Sequence, residues 1–326
     1  MVKTAAMIST YPWLSSIWKE WQSSLEQDTF PNAVLLSSHL GLATEALISS
    51  FSQALMCSNY ASEACGICHS CQLMQASNHP DYHLIKPEKS AKSISVDQIR
   101  GCNRLAQESS QLSGKRIFII EPAEAMTESA ANALLKTLEE PSSTCMFLLI
   151  SYQPHRLPPT VTSRCQRWQV TKPSAHEVAD WLSEKVSVNI PPHIAHINGN
   201  APTTIQLFLD KGQEALYQQI ELGLLDVLKN RGDMIALAKQ LASSHEESLN
   251  WVWYILTDAQ KLHFGLDAPY FSPIAKELIQ YLSYEKLFQQ TENLSNLKEQ
   301  LREYSGLNSE LLILDWLIKF NEEVCS

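Results

Sequence analysis

The chain is 326 residues long, 44% hydrophobic and 18% charged, with a formal net charge of −10. That composition excludes a disordered or fibrous chain, and the length calls for two or three domains instead of one core. The acidic balance argues against a surface that wraps nucleic acid throughout.

The first residues run into Tyr11-Pro12 without the apolar block of a signal peptide, and nowhere do 18 apolar residues follow one another. No membrane segment and a cytoplasmic location are therefore expected. Trp13, Leu14, Ile17, Trp18, Trp21 and Leu25 fit an amphipathic helix whose indoles are core material. A continuous apolar run at 33–37 reads as a strand buried on both faces, and Leu47, Ile48, Phe51, Ala54 and Leu55 give a helix over 43–56 its apolar side.

The loop between them, Ser38-His39-Leu40-Gly41-Leu42-Ala43-Thr44-Glu45, stands where a phosphate-binding loop would end in Gly-Lys-Ser/Thr. One glycine, Gly41, survives. Thr44 takes the place of the lysine that neutralises the β/γ-phosphates, and Glu45, which repels phosphate, takes that of the hydroxyl that holds Mg²⁺. Backbone amides at the following helix N-terminus can still attract an anion, but hydrolysis is not expected.

Eight cysteines occur, at 57, 65, 68, 71, 102, 145, 165 and 325, and in a reducing compartment they read as ligands or core residues, not disulfides. Cys57, Cys65, Cys68 and Cys71 lie within fifteen positions, the last three two residues apart, a spacing that brings thiolates onto one tetrahedral Zn²⁺. Gly66 eases the turn. His69 and His79 are rival ligands, but His69 sits inside the Cys68–Cys71 pair, so an all-cysteine, closed and structural site is expected.

Farther on, Val96, Ile99 and Leu105 predict a helix over 96–107, and 116–121 a second strand. Where an active nucleotide site needs an acidic pair after this strand, the chain has Glu121-Pro122, so the base that orients the attacking water is missing. Gly114-Lys115-Arg116 imitates a phosphate loop but precedes a strand, with no helix N-terminus to receive phosphate. A helix over 129–140 is stopped by Pro141, and 145–151 forms a third strand. Past Trp168 β-type runs cease. Helices at 174–186, 192–198 and 201–211 suggest a three-helix bundle, and longer helices follow, one with Trp251, Tyr254, Ile255 and Ala259 and another with Leu311, Leu314, Leu317 and Ile318 as apolar faces. From 210 onward the chain holds 10 basic and 18 acidic residues, which confines any phosphate contact to the earlier part.

The run Ala131-Asn132-Ala133-Leu134-Leu135-Lys136-Thr137-Leu138-Glu139-Glu140-Pro141, the strand Phe147-Leu148-Leu149-Ile150, and Leu157-Pro158 with Ser163-Arg164-Cys165 together resemble the AAA+ clamp-loader subunits of bacterial DNA polymerase III. The cysteine module resembles that of the gamma/tau and delta-prime kinds. The degenerate phosphate loop beside an intact Ser-Arg-Cys resembles the delta-prime kind, which does not hydrolyse ATP. The resemblance implies an α/β AAA+ domain over 1–167 with a zinc-binding insertion at 57–71, a helical lid domain over 168–209 and an all-α collar for oligomerisation over 210–326. It implies that Arg164, flanked by Ser163 and Cys165, is an arginine finger acting in trans, and that Ser151 occupies a sensor position. It also implies gamma/tau and delta subunits as partners, with the sliding clamp and primed DNA in the complex. The arginine that active relatives carry early in the third lid helix is missing from Gly199-Asn200-Ala201-Pro202-Thr203-Thr204. Asn132 and Lys136, and likewise Arg156 and Arg167, read as solvated or structural residues. An autonomous ATPase with an unusual loop and a zinc-dependent nucleic-acid binder are the competing readings.

Overall fold

The computed structural model describes residues 8–89, 91–112, 114–185, 190–229, 231–304 and 306–322. The chain gathers into two compact units, Met1–Lys172 and Pro173–Ser326.

In the first unit the elements follow as α1 (Ser15–Glu26), β1 (Ala33–Ser37), α2 (Thr44–Met56), α3 (His69–Gln75), β2 (Tyr82–Ile85), α4 (Val96–Gln107), β3 (Arg116–Ile120), α5 (Glu128–Glu139), β4 (Cys145–Ser151), α6 (Pro159–Thr162) and β5 (Gln166–Gln169). The strands form one parallel sheet in the order β2-β3-β4-β1-β5. The three inner strands are the three apolar runs of the sequence, and all of β3 and β4 is buried. The two outer strands were not expected. Tyr82-His83-Leu84-Ile85 and Gln166-Arg167-Trp168-Gln169 lack a continuous apolar run because each pairs on one side only. β5 extends to Gln169, past the expected change of pattern at 168.

Successive residues of each strand serve opposite faces. Leu35, Phe118, Phe147 and Leu149 pack with Ile99 and Cys102 of α4 and Leu134 and Leu138 of α5. Leu36 and its register partner Trp168 serve the other face, where Trp21 of α1 meets Trp168, Phe30 and Phe51 with ring centroids 5.9, 5.4 and 4.8 Å away. The N-terminal tryptophans are core, as their spacing suggested: Trp13, Trp18 and Trp21 are all buried.

At the N-terminal ends of β2 and β3 a buried ion pair fastens the sheet to α4. Asp81 receives the Gln111 and Leu112 N–H groups at 3.0 and 3.1 Å and pairs with Arg116 at 2.8 Å, both side chains being at most 2% exposed. Arg116 also donates to the carbonyls of Leu105 and, at 2.9 Å, Ser109 just beyond α4. Burial raises the Asp81 carboxyl, but the Gln111 N–H and Arg116 outweigh it and hold it below its usual range.

The connections from β1 and β4, which lie side by side, leave toward opposite edges of the sheet. Their C-terminal ends therefore flank a crevice where ligands bind in open parallel sheets. The degenerate loop lies at its mouth.

The second unit is helical throughout its described residues: α7 (Ala175–Lys185), α8 (Pro192–Ile197), α9 (Pro202–Asp210), α10 (Glu214–Leu228), α11 (Met234–Ser243), α12 (His245–His263), α13 (Ala275–Leu278), α14 (Tyr284–Glu303) and α15 (Ser309–Glu322). Val186, where the first of these was expected to end, lies outside the described residues. Pro192 and Pro202 open their helices, where a missing N–H costs nothing. Trp251, Ile255 and Ala259 of α12 are buried as expected, and Trp251 packs edge-on against Phe208 at 5.4 Å. In α15 the buried stripe differs from the expected one. It consists of Ile313, Trp316, Leu317 and Phe320, while Leu311 and Ile318 are exposed. The helix is apolar on more than one side, so its periodicity does not single out the face that packs.

Candidate functional site

Three features of the first unit carry the chemistry that the sequence singles out. The loop 38–43 leaves β1 and turns into α2 with Gly41 at φ +81 and Ala43 at φ +55. Its groups are taken up by the protein itself. Thr44, 1% exposed, shares a hydrogen bond of 2.5 Å with the equally buried Ser38 hydroxyl. Leu42 is buried and its carbonyl accepts from Trp13 Nε1 at 2.8 Å, while the Ser38 N–H donates to the Ser151 carbonyl at 2.9 Å. The residue at the lysine position is thus a short side chain directed into the domain, and Glu45 is exposed at the start of α2.

Across the crevice Glu121, at the end of β3, is likewise engaged. Tyr152 donates to its Oε1 at 2.5 Å and Lys86 Nζ stands 3.1 Å from its Oε2. Burial and this carboxylate push the Tyr152 phenol well above its usual range, so it is a fixed donor. Pro122 follows, with no side chain that can take a proton. Ser151, at the expected sensor position, is fully buried at the end of β4, and its hydroxyl has no partner among the described residues. The look-alike Lys115 faces elsewhere, 3.5 Å from Asp28 and 3.3 Å from the Ser143 carbonyl.

Ser163-Arg164-Cys165 follows α6, and its three side chains do different work. Cys165 is buried in the core shared with α4 and α5, where burial pushes its thiol up to about 11. Ser163 donates to the Thr160 carbonyl at 3.2 Å. Arg164 projects between them. Its Nη1 donates to the Thr160 carbonyl at 2.8 Å, its Nε to Glu139 Oε1 at 2.6 Å and its Nη2 to that same oxygen. Arg167 is exposed and donates to Thr162, and Asn132 and Lys136 are exposed on α5, as solvated residues should be.

Cys57, Cys65, Cys68 and Cys71 converge, with all four sulfurs within 4.8 Å of one another, the one metal-capable cluster among the described residues. Tetrahedral thiolate coordination of zinc puts neighbouring sulfurs about 3.8 Å apart, and the Cys65 and Cys71 sulfurs lie 3.9 Å apart. Three backbone N–H groups aim at sulfurs: Cys65 at Cys57, Cys68 at Cys65 and Cys71 at Cys68, at 3.4, 3.3 and 3.4 Å. Such donors favour thiolate. At Cys68 burial raises the thiol, but the N–H groups of Ser58 and Cys71 outweigh it and bring it down to about 6. Burial pushes Cys71 up to about 12, so the four do not all ionise without a cation among them. The donor set therefore fits a metal ion. Gly66 takes φ +75 in the turn between the first two sulfurs of the run, which a side chain would strain.

The histidines are not part of this cluster. His69 is exposed, and the buried His79 accepts the Asp81 N–H on Nδ1 at 3.1 Å and faces the Ser70 hydroxyl with Nε2 at 2.7 Å. Burial holds its imidazole below the usual range, so it stays neutral and ties α3 to the sheet. The sequence reading missed the partners of these groups: Ser38 for Thr44, Lys86 and Tyr152 for Glu121, and Glu139 for Arg164. Glu139 carried a signal, since it lies inside the run Ala131 to Pro141 that supports the resemblance.

Comparison with known proteins shows the family to which the chain belongs. Residues 13–174 match the family described as DNA polymerase III, delta subunit, and residues 212–322 match its C-terminal family. A DNA polymerase III subunit delta′ from Haemophilus influenzae is 31% identical, over 98% of this chain and 99% of its own. One from Escherichia coli is 32% identical, over 95% of this chain and 94% of its own. Among the described residues no helix is long and apolar enough to cross a membrane.

Proposed function

The chain belongs to the delta′ subunits of DNA polymerase III, and we propose that within the clamp loader it hydrolyses no ATP of its own and lends Arg164 to the ATP site of a neighbouring subunit. The observation that carries this reading is the contrast inside one domain. The residues that stand at the phosphate and metal positions, Thr44 and Glu121, are occupied by Ser38, Lys86 and Tyr152. The guanidinium of Arg164, on the Ser-Arg-Cys loop, remains partly exposed. A permanently charged planar guanidinium is suited to the charge that spreads over a transferring γ-phosphoryl group, and arginine fingers contribute roughly 10³ to 10⁵ in rate.

In this reading Ser163 and Cys165 seat the finger and take no part in chemistry. Cys57, Cys65, Cys68 and Cys71 hold a structural Zn²⁺ that fixes the module at 57–71. The chain divides into an AAA+ domain to residue 167, a lid to 209 and a helical collar that joins gamma/tau and delta subunits, and the complex places the sliding clamp on primed DNA in the cytoplasm. The separate matches to the DNA polymerase III delta subunit family over 13–174 and to its C-terminal family over 212–322 support that division.

The test is Arg164→Ala in the reconstituted loader. Assembly is expected to be normal while ATP hydrolysis in the presence of clamp and primed DNA falls by about three to five orders of magnitude at the affected site; hydrolysis at the wild-type rate overturns the finger. Calorimetric titration of the isolated chain with ATP should show no binding, whereas turnover by the chain alone favours an autonomous ATPase. Atomic absorption on the purified chain should find one zinc per chain, lost in Cys68→Ser, and a zinc-free wild-type protein rejects the metal.

A further inference from the structure

We propose that Glu139 is a positioning residue for Arg164: from the last turn of α5 it holds one edge of the guanidinium and leaves the other edge free for phosphate oxygens. This rests on the reading of Arg164 as the finger.

An arginine side chain presents five N–H groups in a fixed plane. In Arg164 the Nε–H and one Nη2–H converge on Glu139 Oε1, and one Nη1–H goes to the Thr160 carbonyl. One N–H on each terminal nitrogen is left over. These two N–H groups are the donors that Arg164 still has to offer the oxygens of a phosphate. A flexible arginine would have to be ordered each time it engaged its target, whereas one already held at its inner edge meets developing charge without reorganisation.

The grip is built on rigid ground. Glu139 closes α5, which is seated in the core by Leu134 and Leu138. Thr160 lies in α6, and Cys165, the residue after the finger, is buried in that same core. The two groups that hold Arg164 and the residue that anchors its backbone are therefore fixed by one packed cluster. Glu139 is itself 48% exposed and Arg164 31%. A carboxylate so open to water is screened and attracts the arginine weakly, so its contribution is direction, and a phosphate is not displaced by it.

Kinetics of the reconstituted loader with clamp and primed DNA distinguish this from a surface ion pair. Glu139→Ala should lower kcat for ATP about tenfold and leave KM within about twofold, as loss of an interaction made at the transition state does. Glu139→Gln, whose amide oxygen accepts the same two N–H groups, should recover most of the rate. Combining Glu139→Ala with Arg164→Ala should give the rate of Arg164→Ala alone. A Glu139→Ala loader that works at full or higher rate overturns the proposal, and so does a Glu139→Gln loader as slow as Glu139→Ala, or a double variant slower than Arg164→Ala. If Arg164→Ala itself has no effect, the finger reading falls and this one with it; if only Glu139→Ala has none, the finger stands and its positioning by Glu139 falls.

Discussion

The loop that leaves β1 and the loop that follows α6 belong to one domain and have opposite fates. In the first, Thr44 is bonded to Ser38 and the Leu42 carbonyl to Trp13, and across the crevice Glu121 is engaged by Lys86 and Tyr152. In the second, Cys165 is sunk into the core and the residue before it stands at the surface with hydrogen-bonding capacity in hand. No hydrogen bond or ion pair of Arg164 reaches the first loop. Under the function proposed above, a domain gives up its own reaction by redirecting a few hydrogen bonds inward and keeps a loop for another subunit, because the sheet beneath holds both.

That common support gives the largest effect expected of a single change. In Asp81→Asn the buried Arg116 loses its counter-charge, and leaving one member of a buried pair alone costs about 3–5 kcal/mol. Thermal or urea unfolding should register that loss in both loops together, since neither is damaged directly. The pH dependence has a definite sign. The Asp81 carboxyl is held below its unfolded value of 3.8, so its contribution is fully present above that pH and is lost as pH falls through the native value. Wild-type stability should therefore drop on the acid side more steeply than that of Asp81→Asn. If the variant unfolds like the wild type at neutral pH, the sheet is held by other means and the two loops do not share this support.

The sequence displayed the inner sheet, the cysteine cluster and the missing acidic pair, because each is written in residues close together in the chain. Runs such as 145–151 are apolar throughout since both faces are covered, and the thiol spacing is a local property of one turn. What it did not display depends on residues far apart. Asp81 and Arg116 are 35 positions apart, Glu139 and Arg164 are 25, and Glu121 and Tyr152 are 31. The edge strands escaped because Gln166-Arg167-Trp168-Gln169 offers a single apolar residue instead of an apolar run, and α15 showed several apolar stripes of which packing selects one.

A smaller change addresses the contrast itself. Thr44→Val keeps the shape of the side chain and removes the hydroxyl that meets Ser38. The Ser38 hydroxyl then stays buried with only a long contact to the His39 carbonyl at 3.4 Å. A buried hydroxyl without a proper partner costs about 1–3 kcal/mol, so the melting temperature should fall by a few degrees and less than in Asp81→Asn. The assembled loader carrying Thr44→Val should hydrolyse ATP as the wild type does, because the bonds around Arg164 are untouched, and the isolated chain should still bind no ATP, because valine supplies no charge for phosphate. ATP binding by Thr44→Val would mean that the loop is a working site held shut by Ser38 and Thr44. A fall in the loader's hydrolysis would mean that the two loops, which share no hydrogen bond, communicate through the sheet after all.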